Sequence, residues 1–138
     1  MLLSGGGVRY SDAGKALYEL SAACGIPVCE TQLARARLIA TTICICCAGI
    51  CGTLCANLIT KDADVVIAVG TKLNDFVTNS KYGFQDSAKM VGINISRMDA
   101  MKLDGEGIVA DARAGLEALT QALTGYKSQW GGRVAEAK

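Results

Sequence analysis

Hydrophobic positions near the start of the chain are grouped first as a strand and then with helical spacing. The apolar pair Leu2 and Leu3 is followed by a glycine turn at residues 5–7. Ser11 and Asp12 are residue types that cap helices, and the apolar face predicted after them consists of Ala13, Leu17, Leu20 and Ala23. A second strand is predicted after Gly25, at residues 26–29. A strand, turn, helix and strand within about thirty residues are typical of a parallel crossover unit.

Three later apolar runs predict further strands of the same kind. Residues 64–69, 90–95 and 107–110 are rich in β-branched residues, as in strands buried on both faces of a parallel sheet. Asp111 then caps a predicted helix with the apolar residues Leu116, Leu119 and Leu123. We therefore expect an α/β protein with a Rossmann-like, doubly wound and mainly parallel sheet of five or six strands and helices on both faces.

Composition narrows the classes of function. The 138 residues fit one domain, and a net charge of +1 with 5% aromatic residues argues against binding to nucleic acid. The first residues lack the pattern of a secretory signal. We therefore expect a cytoplasmic protein whose seven cysteines are reduced thiols.

A long uncharged segment in the middle of the chain has three interpretations. Residues 38–60 carry no charge and contain five cysteines, namely Cys44, Cys46, Cys47, Cys51 and Cys55. The segment satisfies the length criterion for a single membrane span, although predicted strands lie on both sides of it. A thiolate metal or iron–sulfur site is the second interpretation, although no cysteine spacing matches a ferredoxin pattern. We favour the third, a core helix in which small thiols are buried.

Two glycine turns are the candidate ligand contacts. Gly5, Gly6 and Gly7 follow one predicted strand, and Gly70 with Thr71 follows another. Such turns can contact a nucleotide phosphate, but neither matches a full dinucleotide or P-loop fingerprint, so we favour a packing role. With no histidine and no recognisable nucleophile–base pair, we identify no catalytic residue and no metal site.

Five motifs together resemble the central domain of thiamine-diphosphate-dependent enzymes. They are GGGVRYSDAG (5–14), GIPVCETQ (25–32), GTLCANLITKDADVVIAVGTKLNDF (52–76), INISRMDAMKLDG (93–105) and IVADARAGLEAL (108–119). The closest similarity is to the hydrolase branch that cleaves a C–C bond of a cyclic 1,2-diketone in inositol catabolism. On this resemblance residues 1–125 form the central domain and residues 126–138 a linker.

The resemblance implies a larger parent enzyme and defines what this chain lacks. Such a parent has three α/β domains and is usually a homo-oligomer. Its two outer domains bind thiamine diphosphate and Mg²⁺ through an activating glutamate and a diphosphate motif, neither of which occurs in this sequence. Some members bind FAD in the central domain, but the hydrolase branch is not expected to do so. We therefore expect this chain to be inactive alone.

Residues 33–51 depart from the family pattern, which has a polar Gly-Lys-Gly-Ala-Leu-x-x-Asp-His loop there. One codon choice for residues 34–42, with its first two bases dropped, encodes Lys-Gly-Ala-Leu-Asp-Arg-Asp-His. Our hypothesis is that the segment is translated out of frame. Two other classes of function stay open. One is a stand-alone module that binds a nucleotide or FAD, and the other is a small membrane protein with one span.

Overall fold

A computed structural model describes residues 1–34 and 44–130, which form one six-stranded sheet. Every strand pair is parallel, and the spatial order is β3-β2-β1-β4-β5-β6. The strands are β1 (Leu2–Ser4), β2 (Val28–Glu30), β3 (Cys44–Cys47), β4 (Val65–Val69), β5 (Lys89–Asn94) and β6 (Glu106–Val109). The order reverses at β1, which pairs with both β2 and β4. This is the doubly wound order of a Rossmann-like fold, so the predicted fold class is confirmed.

Helices cover both faces of the sheet. They are α1 (Gly6–Tyr10), α2 (Gly14–Cys24), α3 (Leu54–Asp62), α4 (Asp75–Thr78), α5 (Arg97–Ala100) and α6 (Ala112–Ala122). Because strand side chains alternate between faces, Leu2 belongs to the core under α2 and α6, whereas Leu3 belongs to the core under α3.

Local sequence signals set most helix boundaries. The side chains of Thr53, Asn74, Ser96 and Asp111 cap α3, α4, α5 and α6. Gly25 ends α2 in the left-handed conformation. The cap predicted at Ser11 and Asp12 is wrong: Ala13 holds the N-cap position of α2 without a side-chain hydrogen bond.

The predicted apolar face of the first long helix needs one correction. Leu17 and Leu20 are buried as predicted, but Ala23 is exposed and Cys24 is buried in its place. Cys24 lies four residues after Leu20 and seven after Leu17, so the helical period places it on their face, whereas Ala23 is turned away from that face.

The core helix predicted for residues 38–60 is also wrong. Residues 44–47 are a strand, residues 48–53 connect it to α3, and residues 35–43 lie outside the described part. Gly49 has a φ of 105°, and a Cβ at Gly52 would lie 2.5 Å from Cys47 O, so the backbone turns sharply here. Among the described residues no helix is long and apolar enough to cross a membrane.

The cysteines therefore do not share a helix face. Cys47 is half-buried in β3, Cys51 is exposed in the turn, and Cys55 is half-buried in α3. Within residues 1–34 and 44–130, no group of three or more cysteine or carboxylate side chains could hold a metal ion.

The first residues of the predicted linker pack against the domain. Lys127 Nζ donates to Ala23 O at 2.5 Å. Trp130 packs against the core under α3. Residues 127 and 130 therefore contact the domain, and the boundary between domain and linker at residue 125 stays a prediction.

Candidate functional site

A cleft of about 680 Å³ opens at the carboxyl edge of the sheet, above β1, β4, β5 and β6. Doubly wound sheets bind ligands in this position, where the strand order reverses. Its lining combines glycine backbone, polar side chains and apolar side chains: Gly6, Gly7, Tyr10, Ser11, Thr31, Gly70, Thr71, Lys72, Asn74, Val77, Ile93, Asn94, Ile95, Ser96, Asp99, Ala110, Asp111 and Ala112.

The two predicted glycine turns meet at the base of this cleft. A Cβ at Gly7 would lie 2.7 Å from Gly70 Cα, and a Cβ at Gly5 would lie 2.5 Å from Thr71 Cβ. Gly70 also has a φ of 59°, which a residue with a side chain adopts at a cost. The glycines therefore allow the turn after β1 to contact the turn after β4 directly.

Four of the five predicted site residues line the cleft. Gly6, Gly7, Gly70 and Thr71 do so, whereas Gly5 is buried behind them. The amide of Gly5 donates to Val69 O at 2.8 Å and that of Gly7 to Gly70 O at 2.9 Å. These two amides are thus engaged with the main chain, which supports the packing role. Contact of the turns with a nucleotide stays a prediction.

Polar side chains after β5 form one wall of the cleft. Asn94 Nδ2 donates to Thr71 O at 3.0 Å, and Asn94 Oδ1 accepts from Ser96 N at 3.0 Å. Lys102 Nζ lies 2.9 Å from Asp99 Oδ1. The hydrogen bond from Lys102 lowers the pKa of Asp99, with burial opposing it and the positive charge of Lys102 adding to it. Asp99 is therefore an ionised carboxylate at neutral pH.

A second wall joins the loop after α1 to the start of α6. Ser11 Oγ donates to Asp111 Oδ2 at 2.5 Å, and Arg113 Nη2 donates to Asp12 Oδ2 at 2.9 Å. The hydrogen bond from Ser11 lowers the pKa of Asp111, helped by the backbone amides of Ala114 and Arg113 and opposed by burial. Asp111 thus serves both as the helix cap and as part of the cleft wall.

Sequence reasoning did not assign Asn94, Ser96 or Asp99 to the site. A usable signal exists, because Asn94 lies near the end of a predicted buried strand, Ser96 and Asp99 follow that strand, and the carboxyl ends of parallel strands meet at one edge. By contrast, the pairing of Ser11 with Asp111 joins residues 100 positions apart, and no local pattern predicts it.

The carboxylates that line the cleft are not suited to donate a proton at neutral pH. Its two lining carboxylates, Asp99 and Asp111, both have lowered pKa values, whereas a general acid at neutral pH needs a raised one. Glutamate does not occur among the lining residues.

Comparison with known proteins identifies similar sequences along the whole chain. A profile described as "Thiamine pyrophosphate enzyme, central domain" matches residues 1–119. Proteins named 3D-(3,5/4)-trihydroxycyclohexane-1,2-dione hydrolase are 43% identical over 139 residues in Geobacillus thermodenitrificans, 42% over 145 in Listeria innocua and 44% over 140 in Bacillus velezensis. Each alignment covers 100% of this chain and 22% of the relative. The chain thus spans about a fifth of their length.

A solved structure shares the fold. It is a thiamin diphosphate-dependent enzyme from Mycobacterium smegmatis, with a TM-score of 0.69 and 19% sequence identity. The superposition covers 88% of this chain and 24% of that enzyme. At this identity the likeness concerns the fold alone.

Proposed function

This chain belongs to the thiamine pyrophosphate enzyme central-domain family, and from that premise we propose that it is the central domain of a C–C bond hydrolase. The substrate class is a cyclic 1,2-diketone of inositol catabolism. The observation that supports this proposal is the 42–44% identity, across the whole chain, to proteins named for hydrolysis of such a diketone.

The proposed role of this domain is structural. Thiamine diphosphate and Mg²⁺ belong to the other domains of the parent enzyme, where the cofactor supplies the carbanion stabilisation that C–C cleavage requires. This chain contributes a rigid parallel sheet that joins those domains and shapes the approach to the substrate. FAD has no part in this role, and the chain alone is inactive.

The parent is proposed to be a cytoplasmic homo-oligomer. The described cysteines suit a reducing compartment, because Cys24 and Cys29 are buried core residues and Cys51 is an exposed thiol. The partners of this domain are accordingly the other domains of its own enzyme, with no nucleic acid or membrane among them.

A chimera tests the proposed function. Residues 1–130 would replace the corresponding segment of the Geobacillus thermodenitrificans hydrolase, and ring opening would be followed with thiamine diphosphate and Mg²⁺ present. We expect activity within about tenfold of the unmodified enzyme, because a structural domain acts by positioning. The control is the Geobacillus thermodenitrificans hydrolase that carries its own central segment and is prepared in the same way. A chimera that folds and assembles but does not open the ring would refute the proposal.

Nucleotide binding in the cleft is the second candidate function. The observation in its favour is the 680 Å³ cleft at the reversal of strand order, with Gly70 and Thr71 at its base. Calorimetric titration of the chain with ADP, NAD and FAD tests it. Binding that Lys72→Glu weakens would support this candidate, whereas a colourless protein that binds none of the three supports the purely structural role.

A further inference from the structure

Large exposed apolar side chains are concentrated around the mouth of the cleft. Each of these side chains lies at or beyond the carboxyl end of a strand. They are Tyr10 after β1, Ile50 and Leu54 after β3, Phe76 after β4, Ile95 and Met98 after β5, and Val109 as the last residue of β6. We call these seven residues the apolar rim. Leu54 is 76% exposed, Phe76 66% and Met98 75%.

The parts of the rim are held in fixed positions by the backbone. Ile50 N donates to Phe76 O at 2.9 Å, which joins the turn after β3 to the segment after β4. Ile95 and Met98 flank the cap residue Ser96, whose Oγ accepts from Asp99 N at 3.3 Å. These hydrogen bonds fix the backbone of the rim after β3, β4 and β5.

An exposed apolar surface of this kind is unusual on a soluble protein unless another molecule or domain covers it. Contiguous exposed apolar patches on soluble proteins mark interaction sites, and clefts with apolar surroundings occur preferentially between domains. The opposite edge of the sheet carries the first residue and the end of α6, as Met1 N donates to Val65 O. The carboxyl edge therefore remains open for a partner.

We propose that the apolar rim is the docking surface for another domain of the same enzyme, so that the cleft becomes an interdomain cavity. The inference rests on the proposed function. In the relatives the matching segment is 22% of the chain, so most of each relative's polypeptide is available to cover this surface. A neighbouring domain with a complementary apolar surface would bury the rim, and the rim would stabilise the assembled enzyme.

Two double variants of the chimera described above test the surface. The rim variant is Leu54→Gln with Phe76→Gln, neither of which lines the cleft. The control is Leu58→Gln with Tyr126→Gln, an exposed leucine one turn further along α3 and an exposed aromatic residue after α6. Each variant removes one leucine and one aromatic side chain from the surface. Circular dichroism of the variants in the 138-residue chain shows whether the fold is kept.

Thermal unfolding and limited proteolysis of the chimera test whether the apolar rim contacts another domain. We expect the chimera and the control to unfold in a single transition. The rim variant should show a separate, earlier transition, and protease should release the domain about tenfold faster or more, because two apolar contacts are lost. A rim variant that unfolds and is cleaved like the control would overturn the inference. The ring-opening activity of the unmutated chimera tests the proposed function separately from the docking surface.

Dye binding to the chain itself gives a second readout that needs no chimera. An exposed apolar rim should bind an anilinonaphthalene sulfonate dye. The rim variant should lose at least about half of that fluorescence, and the control should keep most of it. Equal fluorescence from the two variants would contradict the rim as a continuous apolar surface.

Discussion

Gly7 and Gly70 come from turns 63 positions apart in the sequence and lie in direct contact, with Gly7 N donating to Gly70 O at 2.9 Å. A Cβ at Gly70 would lie 2.6 Å from Gly7 Cα. Both neighbours are backbone, so neither can rotate away. This contact fixes the distance between the turns after β1 and β4, and with it the base of the cleft.

Gly70→Ala should therefore be strongly destabilising. The left-handed φ of 59° and the close approach to Gly7 act together, at a combined cost of about 3 kcal/mol in the free energy of unfolding. The matched control is Gly125→Ala, with a φ of 84° but nothing within 4 Å of its Cβ, which should cost only about 1 kcal/mol. Urea unfolding followed by circular dichroism measures both. Equal losses would mean that the contact with Gly7 contributes nothing.

Gly92→Ala and Gly107→Ala should differ although the two glycines pair in register on β5 and β6. A Cβ at Gly92 would overlap the carbonyl oxygen of Ala100, so α5 has to move, and we expect a loss of about 2 to 3 kcal/mol. A Cβ at Gly107 would meet Met101 Cγ at 2.6 Å, and this flexible side chain can rotate, so the loss should stay below about 1 kcal/mol. The reverse order in urea unfolding would show that α5 is not held by backbone contact.

Ser11→Ala should raise the pKa of Asp111 towards its ordinary value of 3.8, because the hydrogen bond from Ser11 is the largest cause of its lowering. A lowered carboxyl pKa gives stability that is present above pH 3.8 and is lost as pH falls through the folded pKa. The variant should therefore have less of this stability above pH 3.8, and its free energy of unfolding should fall less than that of the unmodified chain as the pH is lowered through this range. Carbon-detected NMR titration measures the pKa, and Asp99, lowered mainly by Lys102, serves as the internal control. An unchanged Asp111 titration would exclude Ser11 as the cause.

Periodicity and turn residues were sufficient to predict the parallel sheet. β4 and β5 appear as β-branched runs, Gly70 ends one strand with the predicted turn, and Asp111 caps α6 as predicted. These features depend on neighbours within a few residues. Short-range physics therefore determined both the fold class and the edge of the sheet at which the cleft lies.

Long-range pairings and the middle segment could not be predicted in this way. Ser11 and Asp12 have the composition of a helix cap, but their partners Asp111 and Arg113 lie about a hundred positions away. In residues 44–60, the uncharged and largely apolar composition concealed a change from strand to turn to helix. The turn at Gly49 and Gly52 and the cap at Thr53 mark that change, and hydrophobic composition does not reveal them.

Trp130→Ala should destabilise the domain although the residue lies in the segment predicted as a linker. Trp130 is partly buried against the core under α3, so the loss should be about 1 to 2 kcal/mol, below the 3 to 5 kcal/mol of a fully buried tryptophan. Tyr126→Ala is the control, because Tyr126 is 51% exposed and its removal should change stability by about 0.5 kcal/mol or less. Urea unfolding followed by circular dichroism compares the two variants, because Trp130 is the single tryptophan of the chain and its removal abolishes the tryptophan fluorescence signal.

If the two variants were equally stable, the segment after α6 would act as the predicted linker. A selective loss at Trp130 would instead make residues 126–130 part of the folded domain, and a parent enzyme would then need its true linker further along the chain.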